Sequence, residues 1–265
     1  MRSRKATGGS AAEPRLTERD FIAAFEKGLS VIESFDAIDS AMTPTDIANK
    51  TGLTRAGARR YLLTLAKLHY ADFDGKFFRL TPRVLRLGYA YLAATPLPRL
   101  ARPILEAITE KTRESASLTV LDGTEVVFIA RSNPPRIASV AIGVGTRLPA
   151  YCTASGRVLM LQRSEAEISR YLQGVRPTAY TPKTLVDLPK LQEAFRNARS
   201  IGYSINDEEF EVGLRSIAVP VINSRKEVVA ALTVSVSSER MTQKQMAAEI
   251  LPALEDGCRM LNSML

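Results

Sequence analysis

Histidine is almost missing from this chain: His69 is the only one in 265 residues. Hydrolytic triads and histidine-ligated metal centres set imidazoles beside nucleophiles or carboxylates, so a lone imidazole leaves little from which to build either. Cysteine is nearly as scarce. Cys152 and Cys258 match neither a disulfide framework nor a metal-ligand spacing, and they read as small buried thiols. No run of 18 apolar residues occurs, which argues against a membrane-spanning helix and a membrane partner. Met1 to Ala12 is basic and small, without the apolar centre of a signal peptide; it reads as the disordered tail of a cytoplasmic protein. Phosphate loops are missing too. Gly143-Val-Gly145 has neither a third glycine opening a helix nor a following Gly-Lys-Ser/Thr, so it reads as a turn. No cofactor and no metal are expected.

What is present is the composition of an ordinary soluble protein, 45% hydrophobic and 24% charged, with length enough for two domains. The net charge of +8 is uneven. Residues 1–95 hold 15 Lys/Arg against 10 Asp/Glu, whereas the remaining residues hold 21 against 18. A basic N-terminal third points to a polyanion partner for that third.

Thr17-Glu-Arg-Asp20 resembles a capping box, and Phe21, Phe25, Leu29, Ile32 and Phe35 then mark one face of an amphipathic helix. Thr43 caps a second, short helix with Pro44 at its first position and Asp46 against its dipole; Gly52 ends it. Thr54 caps a third helix, Arg55 to about Leu68, whose Ala58, Leu62, Leu65 and Leu68 face inward. Helix, tight turn and helix make a helix-turn-helix. Arg55, Arg59 and Arg60 crowd the front half of the third helix, and no acidic residue occurs from Arg55 to Ala71. Recognition helices present their N-terminal residues to the major groove, where arginine reads guanine or holds phosphate. Thr54, Arg55, Arg59 and Arg60 are therefore candidate contacts to double-stranded DNA. Asp74-Gly75 lies between two β-prone runs and signals a tight hairpin, a wing that offers Lys76 and Arg79 to the DNA backbone. His69, at the joint, reads as a packing or capping residue. Thr81-Pro82 then starts a linker helix, Arg83 to about Ala94, broken at Thr95-Pro-Leu-Pro98. Its apolar surface exceeds what a solvated linker needs, which fits packing against a second subunit.

The C-terminal part reads as helix Leu97–Arg113, strands Ser117–Leu121 and Glu125–Ala130 joined at Asp122-Gly123, and a strand Ile137–Ile142. Thr153 caps a helix from Ala154 to about Gln162, whose small-residue start is suited to a carboxylate; a cap with tight packing is the competing reading. Helices at Glu165–Leu172 and Asp187–Ile201 follow, then a strand near Tyr203–Asn206. The acidic run Asp207–Glu211 has no histidine nearby and reads as edge charge or local hydrogen bonding. Strands Arg215–Ile222 and Val228–Val236 follow. In the second, Thr233 and Ser235 share one face, and their hydroxyls are placed to bond a ligand's acid oxygens. A helical segment, Met241–Leu265, carries Pro252. The sum is an α/β (α+β) chain: a winged helix-turn-helix over residues 19–80 after a tail at 1–18, a linker helix over 81–96, and an effector domain over 97–265. The effector domain's sheet is largely antiparallel and flanked by helices.

With these elements in order, the sequence resembles the IclR family of bacterial regulators over essentially residues 20–265. The resemblance is carried by Lys27-Gly-Leu-Ser-Val-Ile32, Thr51-Gly-Leu-Thr-Arg55, Tyr61-Leu-Leu-Thr-Leu65, Gly145 to Arg157, Gly202 to Glu209 and Gly213-Leu-Arg-Ser-Ile-Ala-Val-Pro220. It is most similar to the branch controlling breakdown of aromatic acids such as protocatechuate and 4-hydroxybenzoate. The resemblance implies a GAF-like effector domain, homodimers or tetramers, and an operator of two-fold-related half-sites. It also implies an effector pocket at Ala154, Ser155, Asn206, Ser216, Thr233 and Ser235. Some members carry Asp where Asn206 stands and Cys where Ser216 stands, so the identity of the acid does not carry over. The expected mechanism is a population shift: an aromatic carboxylate biases the placement of two winged helices and so changes DNA affinity or contacts with RNA polymerase. Two other readings compete. One is an enzyme using Cys152 as nucleophile, which lacks a histidine base in its own domain; the other is a C-terminal domain that responds to a non-aromatic metabolite or only oligomerises.

Overall fold

A computed structural model describes residues 20–36, 39–134 and 142–265. They form two compact units divided between Tyr89 and Ala90. In the first, helices α1 (Ala23–Glu33), α2 (Pro44–Thr51) and α3 (Arg55–Lys67) are followed by a hairpin, β1 (Ala71–Phe73) and β2 (Phe78–Leu80). Thr43 and Asp46 form a reciprocal capping box at α2, Gly52 ends it at φ +70°, and Thr54 caps α3 by accepting from the Gly57 amide. These local choices fix the turn between α2 and α3 before any packing is considered. Val31, Ile47, Ala58, Leu62 and Phe78 close the core beneath them.

Three expectations change here. Leu68, expected to face inward, is 52% exposed, just past the end of α3. Phe21 and Phe25 are 50% and 66% exposed, and on α1 it is Val31 that is buried; among the described residues neither ring belongs to the core, against which Ile32 and Phe35 do pack. The wing turn is a four-residue loop, because Phe73 pairs with Phe78. Asp74 holds it by accepting from the Lys76 and Phe77 amides, which is the side-chain mimicry of a turn that aspartate favours. His69 adopts φ +62°, and its carbonyl accepts from the Thr81 hydroxyl at 2.6 Å. A 3₁₀ turn (Pro82–Val84) leads into α4 (Leu85–Ala94), which buries none of its residues.

In the second unit α5 (Leu97–Thr112) precedes β3 (Ser115–Asp122), β4 (Glu125–Ser132), β5 (Arg147–Pro149), α6 (Ala154–Leu159), α7 (Glu165–Val175), α8 (Leu188–Ile201), β6 (Ser204–Asp207), β7 (Leu214–Ile222) and β8 (Val228–Ser237). A single turn α9 (Gln243–Gln245) passes through a π-turn, Met246–Ile250, into α10 (Leu251–Asn262). The π-turn is where the ladder absorbs the missing N–H of Pro252. The expected strand Ile137–Ile142 lies outside the described residues except for Ile142, which is not in a strand.

The described strands of this second unit form one antiparallel sheet in the order β5-β4-β3-β8-β7-β6. Alternation along the strands divides its faces. Ala116, Leu118, Leu232, Val234 and Val236 pack with residues of α5 and α10. Phe128, Ala218 and Ala231 pack with residues of α6, α7 and α8 on the other face. Cavity and polar side chains lie on this second face. Gly156 is required there: a Cβ on it would stand 2.0 Å from the Ala150 carbonyl oxygen, so only glycine lets α6 sit this close to the preceding turn.

Candidate DNA-contacting helix and effector cavity

On α3, Ala58, Leu62 and Leu65 are buried while Arg55, Arg59 and Arg60 are exposed. Among the described residues no carboxylate pairs with any of the three, so their charge is directed at solvent. Thr54 spends its hydroxyl oxygen on the helix cap. In the wing, Lys76 lies 4.9 Å over the Phe77 ring, and Arg79 pairs with Asp74 at 2.5 Å. Arg79 is thus a clasp across the hairpin base as well as a surface cation.

The sheet register builds the second site. Asn206, Ser216, Ser235 and Ser115 are direct neighbours across β6, β7, β8 and β3. One step along lie Ala218, Thr233, Ser117 and Arg131, across β7, β8, β3 and β4. Directly opposed antiparallel residues share a face, so these rows form a polar platform under α6. A cavity over it is lined by Phe128, Ile142, Leu148, Cys152, Thr153, Ser155, Asn206, Phe210, Glu211, Leu214, Ser216, Thr233 and Ser235. Five of the six expected effector residues therefore meet at one place. Ala154 does not line the cavity; it is fully buried beside Ser155.

The expected residues divide into two kinds. Asn206 is tied to the protein, its amide donating to the Cys152 carbonyl at 2.6 Å and its oxygen accepting from the Glu209 amide at 3.2 Å. An aspartate would meet that carbonyl with a like-signed oxygen, which explains the amide. Thr233 is 5% exposed, and its hydroxyl has no hydrogen-bond partner. A buried, unpaired hydroxyl costs about 1–3 kcal/mol, a penalty that a ligand removes. The cavity's volume is about 30 Å³, room for little more than a water, whereas a benzene ring occupies an engineered cavity of roughly 150 Å³.

Two features lay beyond the sequence reading. Glu209, expected as edge charge, is buried and pairs with buried Arg157 at 2.7 Å. Arg131, Ser117 and the aromatic walls Phe128 and Phe210 were not singled out; the alternation Ser115-x-Ser117-x-Thr119 against Ala116 and Leu118 was the available signal for a polar face. Cys152 is buried, and desolvation, with the neighbouring Glu209 charge adding to it, pushes its thiol up to about 12. Among the described residues no group of three or more His, Cys, Asp or Glu is placed to hold a metal. No described helix is long and apolar enough to cross a membrane.

A winged helix-turn-helix with an unpaired cationic helix, joined in one chain to a domain with a hydroxyl-lined cavity, defines a ligand-responsive DNA-binding regulator. Residues 24–75 match the IclR helix-turn-helix domain, and residues 89–262 match the bacterial transcriptional regulator IclR C-terminal domain. The Pca regulon regulatory protein of Pseudomonas putida is 40% identical over 89% of this chain and 81% of its own length. The p-hydroxybenzoate hydroxylase transcriptional activator of Acinetobacter baylyi is 34% identical over 93% of both. A double mutant of the PobR inducer-binding domain from Acinetobacter, crystallised with 3-hydroxybenzoic acid, superposes with a TM-score of 0.61 at 29% identity. That structure covers 64% of this chain and 99% of its own. This chain belongs to the IclR family of bacterial transcriptional regulators, as its motifs implied.

Proposed function

We propose that this protein controls genes for aromatic-acid breakdown in response to a small aromatic carboxylate bound in the C-terminal cavity. The observation that carries the reading is the Thr233 hydroxyl: buried, unpartnered, and on the wall of a cavity whose other lining includes Phe128, Phe210 and Ser235. Such a site offers ring contacts and acid-oxygen donors together. The relatives named for the Pca regulon and for p-hydroxybenzoate hydroxylase support the same class of signal.

The functional division is a winged helix-turn-helix over 19–80, a linker helix over 81–96 and an effector domain over 97–265. Thr54, Arg55, Arg59, Arg60, Lys76 and Arg79 face the operator. Exposed Phe21, Phe25, Leu85 and Tyr89 support assembly into homodimers or tetramers, since apolar patches of this kind mark interfaces. Binding selects a widened cavity and so shifts the population of DNA-binding arrangements or of contacts with RNA polymerase, in the cytoplasm. The protein is a regulator and not an enzyme: a thiol raised to about 12 is no nucleophile at neutral pH.

A thermal-shift screen of the full chain tests this. Benzoate- and phthalate-type acids should raise the melting temperature with a dose dependence set by mass action, and succinate should not. Thr233→Val should lose most of that shift without melting lower, because it removes an unpaired buried hydroxyl. Stabilisation by no aromatic acid would overturn the reading.

A further inference from the structure

A cavity that takes an acid must do something with the negative charge, and its lining contains no cation: Glu211 is the charged residue there. The nearest cation by register is Arg131. On β4 it directly opposes Ser117, which directly opposes Thr233, so the three share one face and one row. Its Nη1 donates to the Ser117 hydroxyl at 3.5 Å and its Nε to Asn133 at 2.7 Å. Nη2 and the remaining Nη1 hydrogen have no protein acceptor among the described residues. No carboxylate there pairs with Arg131, and burial alone lowers its pKa from the ordinary value. A guanidinium stays charged regardless. A half-buried cation without a counter-ion, two strands along the same row from a buried hydroxyl without a partner, is a half-built carboxylate site.

We propose that Arg131 is the specificity-determining anchor for the effector's carboxylate, receiving it at the β3–β4 side of the cavity together with the Thr233 hydroxyl. This rests on the effector reading above and adds an orientation to it. Glu211 lies between β6 and β7, at the other side of the same sheet. It repels an anion and accepts from a hydroxyl or amino substituent. The ligand class is therefore an aromatic acid with its carboxylate towards Arg131 and a hydrogen-bond donor at the far end of the ring. The fork geometry of arginine suits two parallel bonds to a carboxylate, which a lysine point charge does not reproduce.

Calorimetry on the full chain with 4-hydroxybenzoate and its neutral isostere 4-hydroxybenzamide reads this out. Wild-type protein should bind the acid at least tenfold more tightly than the amide. Arg131→Gln should erase that preference by weakening the acid alone, and Arg131→Lys should recover part of it; if Gln does not fold, Lys carries the comparison. Equal binding of the acid by wild type and Arg131→Gln overturns the anchor, as does a wild type indifferent to the charge. Wild-type protein that binds no aromatic acid overturns the effector reading itself, a failure visible without any variant.

Discussion

Glu209 and Arg157 show how one residue's setting decides its role. The pair is 8% and 4% exposed at the side chains. Arg157 also donates to the Tyr151 carbonyl, and Glu209 holds Asn206 through its own amide. Together they tie α6 to the turn after β6, next to the cavity wall. Removing one member of such a pair strands the other charge in the interior, at about 3–5 kcal/mol. Glu209→Ala should lower the urea midpoint correspondingly, while Arg163→Ala, which breaks the exposed Arg163–Glu167 pair, should leave it in place. Equal effects from the two would mean that the interior pair is solvated. Nothing in the run Asp207-Glu-Glu-Phe-Glu211 separates Glu209 from its neighbours, because its partner lies far away in sequence. Thr233 and Ser235, by contrast, were legible, since period two alone puts them on one face.

Elements bounded by local chemistry were the readable ones. Thr43, Pro44, Gly52 and Thr54 set the ends of α2 and the start of α3 by caps and dihedral preference, which need no tertiary information. The same holds for the Thr153 and Asp187 caps of α6 and α8. What escaped were properties decided by absent or distant partners: the exposed aromatic face of α1, the four-residue wing loop, and the row that carries Arg131 beside Thr233. The element-level prediction concerns α3. Arg55→Ala with Arg59→Ala should abolish a footprint on the protein's own promoter region. If those residues hold phosphates, the salt dependence of binding should also flatten. An unchanged footprint would remove α3 from the operator.

At the scale of the whole molecule the claim is a linkage. The cavity is too small for an aromatic ring as it stands, so occupancy favours arrangements in which its walls have moved. A ligand shifts an equilibrium only by its difference in affinity between the two states, and coupling energies of about 1–3 kcal/mol change DNA affinity roughly 5- to 150-fold. The proposed effector residues lie in the second unit, whereas the proposed operator contacts lie in the first. Fluorescence anisotropy of promoter-region DNA, titrated with full-length protein with and without saturating 4-hydroxybenzoate, tests that connection most directly. The account predicts that the acid moves the midpoint of the wild type at least fivefold and that of Thr233→Val far less. An acid that binds by calorimetry, yet leaves the wild-type midpoint where it was, would contradict it.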